Sequence, residues 1–324
     1  MLRFDMRAPA GGPPAADLYR AALEMAEWGE AHGCLAVQVS EHHVSPDGYL
    51  PAPLVLAAAI AGRTRRVPIQ VAALILPLHD PIELAEQMAV LDLASGGRVS
   101  YVLAVGYREE EYAACGRDFA TRGRRMDACL AALQQAFRGE AFSFEGRPVR
   151  VLPRPASAGG PPLLLGGGSP AAVRRAARFG LGMVTQGGNA SLAALYRAEC
   201  ERHGRAPGLF IDPPANTVTS AFVAEDPDRA WERLGPHLLH DARMYAEWLG
   251  ASGSVSKSSA ASVAALRAEQ GPYRIFTPDE AIEHVRRNGV LLMQPLCGGI
   301  PPALAWEHLE LVAKRVVPAL RGAS

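Results

Sequence analysis

The sequence predicts an α/β fold, a (β/α)8 TIM barrel with insertions. Short apolar segments typical of buried strands alternate about eight times with longer segments of helical period. Alternation of this kind favours parallel strands joined by helical crossovers, and eight repeats in 324 residues favour a barrel over an open sheet. Because the chain shows no obvious break, we expect a single domain over residues 1–324.

The predicted strands are short runs rich in Val, Ile, Leu or Ala, closed by Gly, Pro or polar turns. These strands are Leu2–Met6, Cys34–Val39, Ile69–Leu76, Val99–Val105, Leu163–Leu165, Leu181–Thr185, Asn216–Ala224 and Gly289–Gln294. The main predicted helices are Leu18–Ala31, Pro53–Arg63, Ile82–Leu93, Thr121–Phe137, Pro170–Phe179, Ser191–His203, Asp228–Leu249, Pro278–Asn288 and Ala303–Leu320. Gly235–Pro236 should interrupt Asp228–Leu249, because proline lacks the N–H that a helix interior needs.

Three further segments have their own local signals. Phe142–Leu152 alternates between polar and apolar residues and carries a Gly, which predicts a hairpin outside the main repeat. Thr277 followed by Glu280 predicts a capped helix start. Gly250–Ser262, after the seventh strand, is rich in Gly, Ser and Ala and too polar to pack, so we expect it to be mobile.

The composition limits the classes of function that the chain could have. Lys and Arg total 33, as do Asp and Glu, so no charge excess points to nucleic acid or to a membrane surface. No apolar run approaches the ~18 residues of a membrane span, and the first residues lack a signal-peptide core. Five scattered cysteines show no disulfide or metal-ligand spacing, so we expect a cytoplasmic protein without a metal site.

Glu41–His43 is the segment whose side chains most strongly indicate chemistry. It follows the second predicted strand and precedes a loop rich in Pro and Gly. A carboxylate and two imidazoles at the carboxyl end of a buried strand need partners, and α/β folds place their active sites at that end. Histidine is also common as a solvated or capping residue, so these residues alone leave both interpretations open.

A glycine-rich turn, Gly166–Pro170, joins the fifth predicted strand to a helix. Glycines allow a ligand to approach the backbone closely, and the N-terminus of a helix attracts phosphate. Ser169 could contact such a phosphate or could cap the helix, and the residues leave both alternatives open. The turn lies in the middle of the chain, which does not favour the alternative fold, a doubly wound sheet.

Five segments, in chain order, resemble the bacterial luciferase-like superfamily of flavin- and deazaflavin-dependent oxidoreductases. These segments are Glu41–His43; Leu76–Pro77 with Asp80–Pro81 and Glu86; Ser95–Arg98; Gly167–Ser169 with Ala176–Gly180; and Thr277–Ala281. Each is weak alone, but five along nearly the whole chain make a specific signal. The family's fold is an eight-stranded α/β barrel with insertions, which agrees with the strand count above.

The resemblance also implies roles for individual residues. His42, with Glu41 and His43 beside it, would be catalytic, as a proton carrier that stabilises a flavin hydroperoxide or deprotonates the substrate. Ala72 and Ala73 stand where the family often has a non-prolyl cis peptide under the flavin ring. The implied cofactor-binding residues are Ala72, Ala73, Gly106, Gly167, Gly168, Ser169 and Gln186.

The chain also departs from the family pattern. Luciferase has a reactive cysteine and a phosphate-binding arginine on strand four, and here Ala104 and Val105 hold those places. Loss of the arginine removes a bidentate phosphate clamp, for which Arg174 or Arg175 could substitute.

The region around Gly250–Ser262 falls where the family has a large insertion, and the resemblance implies a lid over the site. Four residues just before it could line the pocket or form an ordinary helix face, namely His237, His240, Asp241 and Tyr245. Cys297, after the eighth predicted strand, could border the site, although a buried structural thiol is the simpler interpretation.

The resemblance supports three possible functions. The first is a monooxygenase that uses reduced FMN from a separate reductase, and O2, to oxygenate a small organic substrate. The second is hydride transfer with the deazaflavin coenzyme F(420), and Gly166–Ser169 and Pro295–Pro302 fit that branch. The third is a flavin-binding protein without turnover, against which the presence of His42 argues. A homodimer through helices near strands two and three is expected from the family.

Overall fold

The computed structural model describes residues 1–250 and 253–321. Its strands are β1 (Leu2–Phe4), β2 (Val37–Val39), β3 (Ile69–Ile75), β4 (Val99–Ala104), β5 (Phe142–Phe144), β6 (Arg147–Val149), β7 (Leu163–Gly166), β8 (Gly182–Val184), β9 (Phe210–Ile211), β10 (Ser220–Val223) and β11 (Tyr273–Phe276). Its helices are α1 (Ala15–Ala31), α2 (Pro53–Arg63), α3 (Pro81–Ser95), α4 (Glu109–Ala114), α5 (Arg122–Ala136), α6 (Pro170–Phe179), α7 (Ser191–Arg202), α8 (Pro227–Leu249), α9 (Val263–Ala268), α10 (Pro278–Asn288), α11 (Pro302–Leu311) and α12 (Val317–Arg321). Among these described residues, no helix has both the length and the apolar character needed to cross a membrane.

The described residues form two compact units, each built from discontinuous stretches of chain. The first unit comprises Met1–Gln38, Ser45–Leu50 and the described part of Pro214–Ser324. The second unit comprises Val39–Val44 and Pro51–Pro213, so Glu41–His43 belong to it. The expectation of a single domain stays a prediction.

Parallel strands form the sheet of the second unit, in the order β3–β4–β7–β8–β9. β3 and β4 are almost entirely apolar, as strands buried on both faces require. The register shifts between Ala72 and Leu74, so Ala73 has no partner residue on β4. Because these strands are parallel, their carboxyl ends lie along one edge of the sheet, and the predicted α/β class is confirmed.

Helices of the second unit begin and end where the local sequence provides caps. Asp80 caps α3 by accepting a hydrogen bond from the N–H of Ile82 at 2.9 Å, and Gly96, with φ of 67°, ends that helix. Ser169 caps α6 by accepting from the N–H of Ala172 at 3.2 Å. These caps fix the helix starts that follow β3 and β7.

The predicted hairpin outside the repeat is confirmed. β5 and β6 pair antiparallel, with Phe142 opposite Val149. Glu145 and Gly146 both have positive φ, at 49° and 76°, which a two-residue turn matched to the twist of the strands requires.

The first unit contains β1, β10 and β11, and β10 pairs in parallel with β11. Met293 forms parallel bridges to Leu2 and to Ala221. The predicted eighth strand, Gly289–Gln294, is therefore wrong in extent, because only Met293 bridges to other strands. Gly289, with φ of 78°, ends α10, and Pro295 follows closely, so little chain is left for a longer ladder.

Two other predictions for the first unit are corrected. α8 runs without interruption from Pro227 to Leu249 and contains Pro236, so the predicted break at Gly235–Pro236 is wrong. Gly235 serves close packing, because a Cβ at this position would lie 2.3 Å from Cγ1 of Val263. Sequence reasoning missed the strand β11, which has only four residues.

The predicted mobility of Gly250–Ser262 stays a prediction. Ala251 and Ser252 lie outside the described residues. The rest of the segment, 253–262, forms no helix or strand, but Ser258 is buried and its hydroxyl donates to Oε2 of Glu269 at 2.6 Å.

Candidate active site

The predicted catalytic segment lies against the carboxyl end of β3. The backbone N–H of Glu41 donates to the carbonyl oxygen of Ala73 at 3.3 Å. The peptide bond between Ala72 and Ala73 is cis, as the resemblance implies. The fold thus brings Glu41–His43 together with two of the residues predicted to bind the cofactor.

Glu41 is a buried carboxylate that holds two imidazoles. Its Oε1 lies 3.0 Å from Nε2 of His43 and 2.8 Å from Nε2 of His79, and its Oε2 accepts from the N–H of Ile75 at 2.5 Å. Burial disfavours the charged carboxylate, but the hydrogen bonds from His43 and His79 outweigh burial and lower the pKa of Glu41 to about 2. The hydrogen bond to Glu41 raises the pKa of His43 above its ordinary value, against the opposing effect of burial.

His42 pairs with a second buried carboxylate. Its Nδ1 lies 2.7 Å from Oε1 of Glu111, and the same oxygen accepts from the N–H of His43 at 3.0 Å and from Nη1 of Arg108 at 3.1 Å. We call the two carboxylates and the three imidazoles the imidazole network, which consists of Glu41, His42, His43, His79 and Glu111. Their carboxylates are fully buried, while 10 % of His42, 21 % of His43 and 26 % of His79 remain exposed.

Glu111 fixes the tautomer of His42. The other two groups bonded to Oε1, a backbone N–H and a guanidinium, can only donate, so Oε1 is an acceptor in all three contacts. The proton between Glu111 and His42 therefore lies on Nδ1, and Nε2 of the neutral ring is an acceptor. Oε2 of Glu111 is buried and accepts no hydrogen bond within residues 1–250 and 253–321.

Gly106 directs the chain where β4 ends. Its φ is 74°, and a Cβ at this position would lie 2.7 Å from Cγ2 of Ile75, so a side chain is excluded there. The next residue, Tyr107, places its hydroxyl 3.2 Å from Nε2 of His42. The predicted contact of Gly106 with the cofactor stays a prediction.

The predicted phosphate positions lie together at the start of α6. Gly167 has a φ of 152°, and a Cβ there would lie 2.9 Å from that of Ala172, so the turn needs a glycine. A Cβ on Gly168 would lie 3.4 Å from Cβ of Gln186, which places Gln186 beside the turn. Ser169 caps α6, as one of the two alternatives predicted, and Gly168 and Ser169 are exposed.

The proposed substitutes for the missing phosphate-binding arginine are engaged elsewhere. Nε of Arg175 lies 2.5 Å from Oδ1 of Asp127, and its Nη2 donates to the carbonyl oxygen of Gly123 at 3.1 Å. Nε of Arg174 lies 3.4 Å from Oε1 of Glu199. Both arginines are thus held by carboxylates of neighbouring helices.

Three of the four α8 residues predicted as possible pocket lining, His240, Asp241 and Tyr245, contact or belong to a polar cluster of the first unit. Its centre is Arg7, which is fully buried and lies 2.6 Å from Oδ2 of Asp47, 2.7 Å from Oδ1 of Asp241 and 3.6 Å from Oδ2 of Asp5. We call these four side chains the arginine cluster. Three aromatic rings pack within about 5 Å of the guanidinium, namely Tyr49 at 4.7 Å, Tyr245 at 5.2 Å and Trp248 at 4.5 Å.

The charges of the arginine cluster shift its carboxyl groups in opposite directions. Burial, reinforced by Asp241, raises the pKa of Asp5 to about 7. Burial also acts on Asp47, but the hydrogen bond from His240 at 2.8 Å and the charge of Arg7 outweigh it, so the pKa of Asp47 falls well below its ordinary value. His237 contacts the carbonyl oxygen of Gly298 at 3.1 Å.

Cys297 is completely buried, and burial raises the pKa of its thiol, which agrees with a structural role. Within the part of the chain that the structure describes, no group of three or more His, Cys, Asp or Glu side chains could hold a metal ion.

Sequence reasoning missed four residues of the site. These are His79, Tyr107, Arg108 and Glu111. The available signal was that they lie in the segments that follow β3 and β4, because parallel strands place such segments along the edge that already holds Glu41–His43.

Known proteins resemble this chain along most of its length. The sequence model of luciferase-like monooxygenases matches residues 3–285. The 4-hydroxyprotoasukamycin monooxygenase of Streptomyces nodosus subsp. asukaensis is 27% identical over 343 residues, which cover 97% of this chain and 90% of that protein. The alkanal monooxygenase alpha chain of Photorhabdus luminescens is 29% identical over 161 residues, covering 48% of this chain and 44% of that one.

Solved structures share the fold. Monooxygenase RslO1 from Streptomyces bottropensis superposes with a TM-score of 0.72 at 23% identity, over 98% of this chain and 99% of that one. The oxygenating constituent of 3,6-diketocamphane monooxygenase from Pseudomonas putida, solved with FMN, gives a TM-score of 0.68 at 18% identity, over 97% and 98% of the two chains. The predicted fold class, the (β/α)8 TIM barrel of this superfamily, is confirmed. With a family match over residues 3–285, this chain belongs to the luciferase-like monooxygenase family.

Proposed function

We propose that this chain is a monooxygenase that uses reduced FMN and O2 to oxygenate a small organic substrate, with the reduced FMN supplied by a separate reductase. The observation that carries the proposal is the pairing of His42 with the buried Glu111, at the edge of the sheet that also holds the cis peptide and the start of α6. Family membership supports the reaction class. The neighbour solved with FMN is described as an oxygenating constituent, which supports a separate source of reduced flavin.

The residues at the start of α6 fit the phosphate of FMN. Gly168 is exposed and has no side chain, so a phosphate could approach its backbone closely. In the first turn of the helix Pro170 has no N–H and the N–H of Ala172 is bonded to Ser169, so the helix contributes at most the N–H of Ala171, together with the positive end of its dipole. Ser169 accepts a hydrogen bond as the cap, and its hydroxyl still carries a proton that it can donate to a phosphate oxygen. An anion at this position needs no arginine from strand four.

The imidazole network fits the proton transfers of an oxygenation. Bound reduced flavin supplies the electrons that activate O2. The protein's own part is to hold and move protons, and His42 does so at Nε2, since Glu111 holds the proton on Nδ1. Glu41 orients His43 and His79 next to it through charge-assisted hydrogen bonds. Glu41 and His43 therefore act in this proposal as groups that support His42.

A parallel anaerobic titration of the full chain with reduced FMN, reduced riboflavin and reduced coenzyme F(420) tests the cofactor. We expect FMN to bind about tenfold or more tightly than riboflavin, because only FMN offers the phosphate. Ser169→Ala should reduce that ratio. The matched control is Ser262→Ala, because Ser262 caps α9 in the same way, and it should leave the ratio unchanged.

The titration also separates the alternatives. A preference for coenzyme F(420) would move the function to hydride transfer on the same fold. Binding of none of the three compounds would overturn the cofactor proposal and leave the fold unaffected.

We also propose that the chain forms a homodimer through α2 and α3. These helices pack on each other within the second unit and leave three apolar side chains largely exposed, Val55, Val90 and Leu93. Apolar groups of this kind are typical of surfaces that bind a second copy. Light scattering of the purified protein should give twice the mass of one chain.

A further inference from the structure

We propose that Tyr107 is the catalytic residue that exchanges protons with the bound reactants, and that His42 and Glu111 act behind it as its base. This inference rests on the proposed function and deepens it. Its basis is a continuous chain of contacts, from the carboxylate of Glu111 through both ring nitrogens of His42 to the hydroxyl of Tyr107. The Glu111 end of this chain is buried, and the Tyr107 end is exposed.

The direction of the hydrogen bonds follows from the tautomer of His42. Nδ1 carries the proton and donates to Glu111, so Nε2 of the neutral ring accepts. The hydroxyl of Tyr107, 3.2 Å away, is therefore the donor in its contact with Nε2. Each member thus passes its proton inward toward the carboxylate.

Exposure decides which member meets a reactant. Only 10 % of the His42 side chain is exposed, whereas Tyr107 is 38 % exposed. The ring of Tyr107 stands at 70° to the imidazole, with centroids 5.5 Å apart, and so covers the edge that carries Nε2. A reactant beside this pair would reach the phenolic oxygen before it reached Nε2.

The backbone around Tyr107 is fixed on both sides. Gly106 turns the chain at a position where Ile75 leaves no room for a side chain. Arg108, the next residue, donates to the carbonyl oxygen of His43 at 2.8 Å and to Oε1 of Glu111 at 3.1 Å. Two adjacent residues therefore fix both ends of the proton chain Glu111–His42–Tyr107: Tyr107 is its exposed end, and Arg108 holds Glu111 at its buried end. Such preorganisation is what proton transfer needs.

The transfer balances without any further reagent. An acidic O–H, N–H or C–H of the reactants gives its proton to the Tyr107 oxygen, while the phenolic proton moves to Nε2 of His42. The products are the deprotonated reactant, an intact Tyr107 and an imidazolium that the Glu111 carboxylate stabilises. In the return step Nε2–H restores the phenolic proton as Tyr107 protonates the oxyanion that the oxygenation leaves. The protein gains and loses no proton over the cycle.

Tyr107→Phe tests the proposal, because it keeps the ring and removes only the hydroxyl. The variant should bind reduced FMN within about twofold of the wild type. The rate at which the bound flavin reoxidises on aeration, measured by absorbance, should differ from that of the wild type by about tenfold or more. The pH profile of this rate should lose one ionisation. Tyr19→Phe on α1 is the matched control and should leave both measurements unchanged.

A second readout needs no flavin. Nitrogen NMR of histidine-labelled protein, with the His42 signals assigned by their absence in His42→Gln, should show the Nδ1–H tautomer. Tyr107→Phe should keep that tautomer and shift the Nε2 resonance, and Glu111→Gln should no longer enforce it. An Nε2–H tautomer in the wild type, or a reoxidation rate and pH profile unchanged in Tyr107→Phe, would overturn the proposal. Failure of the wild type to bind flavin would instead overturn the proposed function.

Discussion

The arginine cluster and the imidazole network are both buried groups of opposite charges, but they differ in what their charges can do. In the arginine cluster the cation is a guanidinium, which stays protonated at every pH the fold survives, and aromatic rings pack around it. In the imidazole network the partners of the carboxylates are histidines, a residue type whose side chain can be neutral or charged. Each of these histidines keeps part of its surface exposed.

This difference indicates a division of roles. A permanent, fully enclosed charge suits a structural centre that orders segments distant in sequence, here the end of β1, the loop after β2 and α8. Titratable rings that are only partly exposed, each oriented by a buried carboxylate, suit proton transfer. Three substitutions would break or sharpen this comparison.

Arg7→Met should have the largest effect. Methionine replaces much of the volume but leaves Asp47 and Asp241 buried without their cation, and loss of one partner from a buried ion pair costs about 3–5 kcal/mol. Urea unfolding at pH 7 measures the loss. Arg20→Met is the control, because Arg20 pairs with Asp17 on the exposed surface at 2.9 Å and should cost about 0.5 kcal/mol or less. Equal losses in the two variants would show that the arginine cluster is not a structural centre.

Glu41→Gln should change how stability depends on pH. The folded-state pKa of Glu41 is about 2, below its ordinary value of 4.5, so its contribution is present above pH 4.5 and is lost as the pH falls toward 2. Glutamine does not titrate, so the free energy of unfolding of the wild type should exceed that of the variant by about 2–3 kcal/mol at pH 7. This difference should shrink as the pH falls from 4.5 toward 2. Thermal unfolding across pH 2–7 gives the curve. A difference that stays constant across the window would contradict the role of Glu41 as the carboxylate of the network.

Asp5→Asn should change stability with pH in the opposite direction to Glu41→Gln, and its effect on stability at pH 7 should be the smallest of the three. The pKa of Asp5 is raised from 3.8 to about 7, so its contribution is present below pH 3.8 and is lost as the pH rises toward 7. The variant should therefore gain stability relative to the wild type as the pH rises over that range. At pH 7 its net gain should be only about 1 kcal/mol, because its amide must reorient opposite the Gln294 side chain, which offsets much of that gain at every pH. The same unfolding series provides the measurement. A relative loss with rising pH would mean that the Asp5 carboxylate is stabilised as an anion.

Local signals in the sequence predicted a large part of the fold. Thr277 and Glu280 form the predicted capping box, because the hydrogen bonds involved span only three residues. The hairpin of β5 and β6 and most of the parallel strands follow in the same way from short-range pattern. Pro236 misled the prediction, because the packing of α8 maintains the helix through it.

The site was only half predictable for the same physical reason. Glu41–His43 are adjacent in sequence and could be recognised as a group. Glu111 is 69 residues from His42, and no local sequence pattern predicts that their side chains form a hydrogen bond. Arg7 likewise contacts Asp47 and Asp241 only in the folded chain, because these residues are far apart in sequence. An arginine is ordinarily expected at the surface, so its burial could not be predicted.

Gly106 has a practical consequence for anyone who would change the substrate range by directed evolution. Any side chain at this position would collide with Ile75, whose N–H is bonded to Glu41, so a library that varies position 106 would consist mostly of variants with a displaced carboxylate. Val44 is 56 % exposed and belongs to the same unit, two residues after His42. A library that keeps Gly106 and Tyr107 and varies Val44 would sample side chains next to Glu41–His43 in sequence, without the collision with Ile75.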